Sequence, residues 1–181
     1  MAASKIMVIR HGEKPDGKAS GVDIDGKKDD SSLIPRGWQR AGALATLFDP
    51  SDEKFIAGLA KPQYLYASDK SEETEGDRPR ETITPLSEKL DIGIDTSFKK
   101  DEGKEMAAKA MKKEGIVLIC WEHENIHHVA NAIMGNDTSV PQKWPGDRFD
   151  VVWVFDNTGD GYSFSQVPQM LLAGDQNTVI S

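Results

Sequence analysis

The run Ile116-Val117-Leu118-Ile119-Cys120-Trp121 constrains the fold of this chain more than any other stretch. It has no polar face to present to water, so as a strand it must be buried on both sides. A sheet covered by helices on both faces provides that burial. Glu122-His123-Glu124 follow directly, which places titratable side chains at the strand's C-terminal end. In open α/β sheets this is the edge where ligands bind.

The residues from Lys5 to Ile9 read as a second buried strand and end the same way, in Arg10-His11-Gly12-Glu13, with a glycine that lets the backbone turn close to a ligand. A third strand, Gln63 to Ala67, ends at Ser68-Asp69. The polar stretch from Lys14 to Ser32 has no periodicity and reads as a surface loop. Its Asp23-Ile24-Asp25-Gly26 has too few ligands for a calcium loop. Pro35 opens a helix in which Trp38, Ala41, Leu44, Ala45, Leu47 and Phe48 recur at helical spacing, until Asp49-Pro50 stops it.

The segment Asp69 to Asp77 carries five acidic residues and reads as an exposed insertion. Beyond it the pattern predicts a helix over Glu81 to Leu90 disturbed by Pro85, a short strand over Ile92 to Phe98, and helices over Asp101 to Glu114 and Asn125 to Met134. Asp150 to Phe155 and Tyr162 to Ser165, joined by Gly-Asp-Gly, read as a terminal hairpin. Strands alternate with helices through most of the 181 residues, with short β-elements at the end, which implies one α/β domain over 1–181 with a mostly parallel sheet.

With 30 acidic and 22 basic residues the net charge is −8, which argues against nucleic acid or an anionic membrane as the main partner. Cys120 is the single cysteine and lies in the apolar run, so a buried thiol in a reducing compartment is expected. Met1-Ala2-Ala3-Ser4 leads into the first strand without the pattern of a signal peptide, and no apolar run approaches membrane-spanning length; a cytoplasmic protein is the expectation.

In a parallel sheet the ends at Arg10-His11, at Ser68 with Arg80 beyond it, and at His123 lie along one edge. Two arginines and two histidines there would grip a tetrahedral dianion. Guanidinium forks neutralise its oxygens, one neutral imidazole attacks in line, and the other donates a hydrogen bond to the developing charge. A carboxylic acid would protonate the leaving oxygen.

These residues resemble the histidine phosphatase superfamily, also called phosphoglycerate mutase-like. The resemblance rests on Arg10-His11-Gly12 after an N-terminal strand, Gly37 and Gln39 in the first helix, Arg80 four residues before Thr84, and His123 after the apolar strand. It covers nearly the whole chain. It implies a three-layer α/β/α sandwich, a covalent phosphohistidine on His11, and a phosphate pocket of Arg10, His11, Arg80 and His123, with Gly12, Glu13 and Ser68 beside it and no metal or cofactor. The expected activity is a metal-independent phosphatase acting on a small phosphorylated substrate or a phosphoprotein, phosphohistidine included. Mutase activity is disfavoured because the chain looks short of the loops that retain a bisphosphate.

Two features depart from the family pattern. The acidic insertion separates Ser68 from Arg80 and leaves Arg78 as a rival arginine. No copy of the mutase-type acid motif follows it, so the proton donor is assigned to Glu124, the position used in the acid phosphatase branch, with Glu13, Glu72, Glu73 and Glu122 as alternatives. A phospho-ligand binding protein of the same fold is the second reading. A third is a zinc hydrolase, since His123-Glu124-Asn125-Ile126-His127 fits H-E-x-x-H; but no glutamate follows Glu124 and position 133 is Ile133, so the usual third ligands are missing. His127 and His128 otherwise read as a partly exposed turn, and Trp121, Trp144 and Trp153 as packing residues.

Overall fold

A computed structural model describes residues 2–69 and 76–181. The strands are β1 (Ala3–Arg10), β2 (Tyr64–Ala67), β3 (Ile94–Asp95), β4 (Gly115–Trp121), β5 (Val151–Asn157) and β6 (Tyr162–Pro168). The helices are α1 (Pro35–Phe48), α2 (Arg78–Leu90), α3 (Gly103–Met111) and α4 (Ile126–Met134). The six strands form one sheet in the order β3-β2-β4-β1-β5-β6. β3, β2, β4 and β1 run parallel, β5 runs antiparallel to β1, and β6 runs antiparallel to β5.

Side chains alternate across each central strand and divide the core in two. Ile6, Val8, Val117, Ile119 and Trp121 pack with Met106 and Ala107 of α3 and Val129 of α4. Met7, Ile9, Leu118 and Cys120 face the other way, onto Leu44 and Phe48 of α1 and Ile83 and Leu86 of α2. The result is a three-layer α/β/α sandwich, as the uninterrupted apolarity of β4 requires. Each fully buried aliphatic side chain contributes about 1.5–3 kcal/mol.

Register decides which residues meet. Arg10 is paired with Trp121 and Ala67 with Cys120, so β1, β4 and β2 end level with one another. The backbone N–H of His11 donates to the Trp121 carbonyl at 3.3 Å, carrying the β1–β4 ladder one residue further. β5 runs in the opposite direction, with Val152 opposite Ile9, so its N-terminal end, and Phe149 just before it, reach the same edge.

Several elements differ from the sequence pattern. α2 starts at Arg78 rather than Glu81, because Pro79 suits a first helical turn, and it runs through Pro85 to Leu90. The third helix spans only Gly103–Met111, and β3 only Ile94–Asp95, an edge strand paired with β2 alone. β6 extends to Pro168. Trp38 is half-buried and its indole N–H donates to the Val22 carbonyl, pinning the loop over 14–32; buried Arg40 takes a core-facing position. Residues 70–75 of the acidic insertion, with Glu72 and Glu73, lie outside the described residues. Flanking them, Asp69 bridges to Lys99 and Asp77 is buried. In the loop over 14–32 the Asp23 carboxylate accepts the backbone N–H groups of Asp25 and Lys27, closing a turn. The three tryptophans expected in the core, Trp121, Trp144 and Trp153, are all buried. Among the described residues, no helix is long and apolar enough to cross a membrane.

Candidate active site

Arg10 is fully buried at the end of β1. Its Nη1 donates to the carbonyls of Pro145, Gly146 and Arg148, at 3.3, 2.8 and 2.9 Å, and so holds the loop before β5. Its guanidinium carbon lies 3.8 Å from the centre of the Phe149 ring. Nε and Nη2 are buried without a hydrogen-bond partner. Burial lowers the Arg10 pKa to about 10, opposed by Glu122 and Glu13, so the group is charged at neutral pH.

His11 is fixed by the glycine after it. Its Nδ1 lies 2.7 Å from the Gly12 carbonyl, and the Gly12 N–H donates to the Thr82 hydroxyl at 2.7 Å. Thr82 in turn donates to the Arg78 carbonyl. A carbonyl can only accept, so Nδ1 carries a proton and Nε2 is the ring nitrogen left facing Glu122. The backbone here is too crowded for side chains. A Cβ on Gly37 would stand 2.5 Å from the Glu13 carbonyl oxygen, and one on Gly12 would stand 3.0 Å from that of Gly37. The two glycines let α1 lie directly against the end of β1.

The end of β4 meets His11. Glu122 Oε2 lies 3.2 Å from His11 Nε2, yet that nitrogen has no aligned hydrogen-bond partner, so the oxygen sits off its hydrogen-bonding axis. Burial would raise the Glu122 pKa, but His11 first and then Arg78 outweigh it and hold the carboxyl at about 2. His123 is half-buried, and its Nδ1 has no partner. Burial, with the charges of Arg10 and His11, lowers its pKa to about 4, so the ring is neutral at physiological pH. Glu124 is exposed.

The remaining candidates separate. Arg80 is exposed on α2 and its guanidinium is ion-paired with Asp77. Arg78 acts on the end of β4 instead: its charge lowers the Glu122 pKa, and its Nε is buried without a partner. Ser68 is buried at the end of β2. Glu13 points away into an ion network, accepting from Arg36 Nε at 3.0 Å and from Arg40 Nε and Nη2 at 3.0 and 2.8 Å. Asp175 completes that network through Arg40 Nη2 at 2.7 Å. Burial alone would lower the Arg40 pKa, but its bonds to Asp175 and Glu13 hold it above the ordinary value.

The H-E-x-x-H reading fails on geometry. That pattern needs both histidines on one helix, and α4 begins only at Ile126, after His123 and Glu124. The His127 ring packs on His128 with centroids 3.8 Å apart. Among the described residues the one group of three able to hold a metal is His11, Glu122 and His123. Phe149, the loop over 145–148 and Thr82 had no signal in the sequence, since nothing local distinguishes them. A cavity of about 540 Å³ opens beside Phe149, lined also by Lys14, Asp16, Gly146 and Asp147.

No family model matches the chain, and neither does any curated protein. Solved structures do. The α-ribazole phosphatase from Shigella flexneri superposes with a TM-score of 0.56 at 13% identity, over 96% of this chain and 100% of that one. SixA from Agrobacterium tumefaciens gives 0.55 at 16% identity, over 90% and 96%. YhfR from Bacillus stearothermophilus gives 0.53 at 13%, over 96% and 98%. At these identities the likeness lies in the architecture, and the chain shares its fold with these solved structures.

Proposed function

We propose that the chain is a phosphatase that works through a phosphohistidine on His11. One observation carries the reading. Among the described residues six buried side-chain polar atoms lack a hydrogen-bond partner, and five of them, Arg10 Nε and Nη2, His11 Nε2, Arg78 Nε and His123 Nδ1, belong to the sheet edge at β1 and β4 and the start of α2. Buried polar groups are rarely left unpaired. A phosphoryl group, with three acceptor oxygens and two negative charges, suits a set of donors and charges of this kind.

In the first half-reaction His11 Nε2 forms the N–P bond as the bond to the leaving oxygen breaks. Arg10 and Arg78 take the charge on the non-bridging oxygens, and His123 donates to one of them. We assign the second arginine to Arg78 in place of Arg80, whose guanidinium is committed to Asp77. The proton for the leaving oxygen comes from a carboxylic acid flanking His123. Glu122 is better placed than the exposed Glu124, and an arriving dianion raises its proton affinity. In the second half-reaction water attacks phosphorus, the same carboxylate takes its proton, and phosphate leaves.

The cavity beside Phe149 has room for the leaving group. Its wall carries Glu13, Asp16, Asp147, Asp150 and Asp175 against Lys14, Arg36 and Arg40, and this acidic balance disfavours a second anionic group there, which favours hydrolysis of a monoester over mutase chemistry on a bisphosphate. A small phosphomonoester and a phosphorylated protein histidine both satisfy this. The cytoplasm remains the proposed compartment.

His11→Ala should lower turnover of an aryl phosphate by at least about 10³-fold. The wild type should trap an acid-labile, alkali-stable phosphoryl group that the variant lacks. Ligand binding without trapping or product would replace the enzyme with a phospho-ligand binding protein.

A further inference from the structure

We propose that His11, Glu122 and His123 also form a site for a divalent transition metal of the zinc class, which takes the same nitrogens as the phosphoryl group and thereby inhibits the chain. The donor atoms of the three residues all lie within 4.8 Å of one another. The closest edge, His11 Nε2 to Glu122 Oε2, is 3.2 Å. Two ligands each about 2.0–2.1 Å from a tetrahedral zinc stand roughly 3.3 Å apart. The oxygen is off the hydrogen-bonding axis of Nε2. It is the position of a neighbouring ligand when an ion lies on that axis.

The surroundings fit the same chemistry. His11 is fully buried, and the carbonyl of Gly12 at 2.7 Å from Nδ1 orients the ring as a backbone carbonyl orients a metal-bound histidine. His123 Nδ1 is buried and unpartnered, and a displacement of about an ångström brings it into a tetrahedral set. Two imidazoles and one carboxylate select zinc, copper or nickel over magnesium and calcium. Arg10, Arg78 and Lys14 add to that selection, because their positive charge repels a cation held by electrostatics alone and leaves those that form strong bonds to nitrogen. Three protein ligands leave the fourth position of a tetrahedral ion for water.

The site stands on donor geometry and requires no turnover, so it can fail or hold independently of the phosphatase reading. Calorimetric titration of the full chain with zinc should find one ion per chain, and cobalt should give the visible absorption of a tetrahedral site. Glu122→Gln and, separately, His123→Gln should each weaken zinc binding at least tenfold, with circular dichroism showing that both variants fold. The double variant His127→Gln, His128→Gln should bind as the wild type does. Saturating zinc should prevent phosphoryl trapping on His11, and chelator should restore it. Absence of zinc binding, binding that survives both single variants, or binding lost in the double variant overturns the site; trapping unchanged under saturating zinc overturns the competition.

Discussion

β1 and β4 end side by side and carry similar side chains, Arg10-His11-Gly12-Glu13 on one and Glu122-His123-Glu124 on the other. At the end of β1 each group except the unpartnered nitrogens of Arg10 and His11 is tied down: Arg10 by three carbonyls, His11 by Gly12, Gly12 by Thr82, Glu13 by Arg36 and Arg40. At the end of β4, His123 Nδ1 has no partner, Glu122 touches His11 off-axis and Glu124 is exposed. Attack on phosphorus demands a nucleophile held within a fraction of an ångström. Moving a proton to and from a leaving group demands side chains that can respond to an arriving charge. The rigid end suits the first task and the looser end the second.

The sharpest way to break this comparison is to remove the proposed proton donor. Glu122→Gln should lower kcat on an alkyl phosphate by about 10²–10⁴-fold. On p-nitrophenyl phosphate, whose leaving group needs no proton, the loss should stay below about tenfold, with trapping on His11 intact. Glu124→Gln should leave both rates close to wild type. The reverse pattern would return the acid to Glu124.

On the rigid side the largest stability effect belongs to the Glu13 network. Arg40 is buried between Glu13 and Asp175, and Arg40→Met leaves both carboxylates short of a partner. Denaturant unfolding should show a loss of about 3–5 kcal/mol, with kcat of the folded fraction little changed.

Thr82→Val separates positioning from chemistry more finely. It leaves the buried Gly12 N–H without its acceptor, at a cost of about 1–3 kcal/mol. Because Gly12 orients His11, kcat should fall while KM stays near wild type; an unchanged kcat would make Thr82 a stability residue only.

The smallest effect is a pH dependence. His123 is lowered from its ordinary 6.5 to about 4 in the folded chain, so between those values the unfolded chain binds the extra proton. Stability should therefore decline as pH falls from 6.5 toward 4. His123→Gln should flatten that slope, measured by denaturant midpoints across the window.

The sheet was legible because its signal is local. The apolar run of β4, the strand endings at Arg10-His11 and His123, and the helical spacing of α1 needed no partner to be read. The pocket arginine was not legible. Arg78 and Arg80 are two residues apart on one helix, so they point in different directions, and only packing shows that Arg78 turns toward Glu122 while Arg80 pairs with Asp77. The carboxylates behaved likewise: Glu13 lies two residues from His11 in sequence yet faces Arg40.

The sequence by itself determined an α/β chain with a sheet buried on both faces and two histidines at the ends of its strands, since burial and periodicity are written residue by residue. The tertiary structure alone decided which carboxylate touches His11, that Arg80 pairs with Asp77, and that Thr82 bonds Gly12 and Phe149 stacks on Arg10. Those choices depend on strand register and helix rotation, and these are fixed by contacts between residues far apart in the chain.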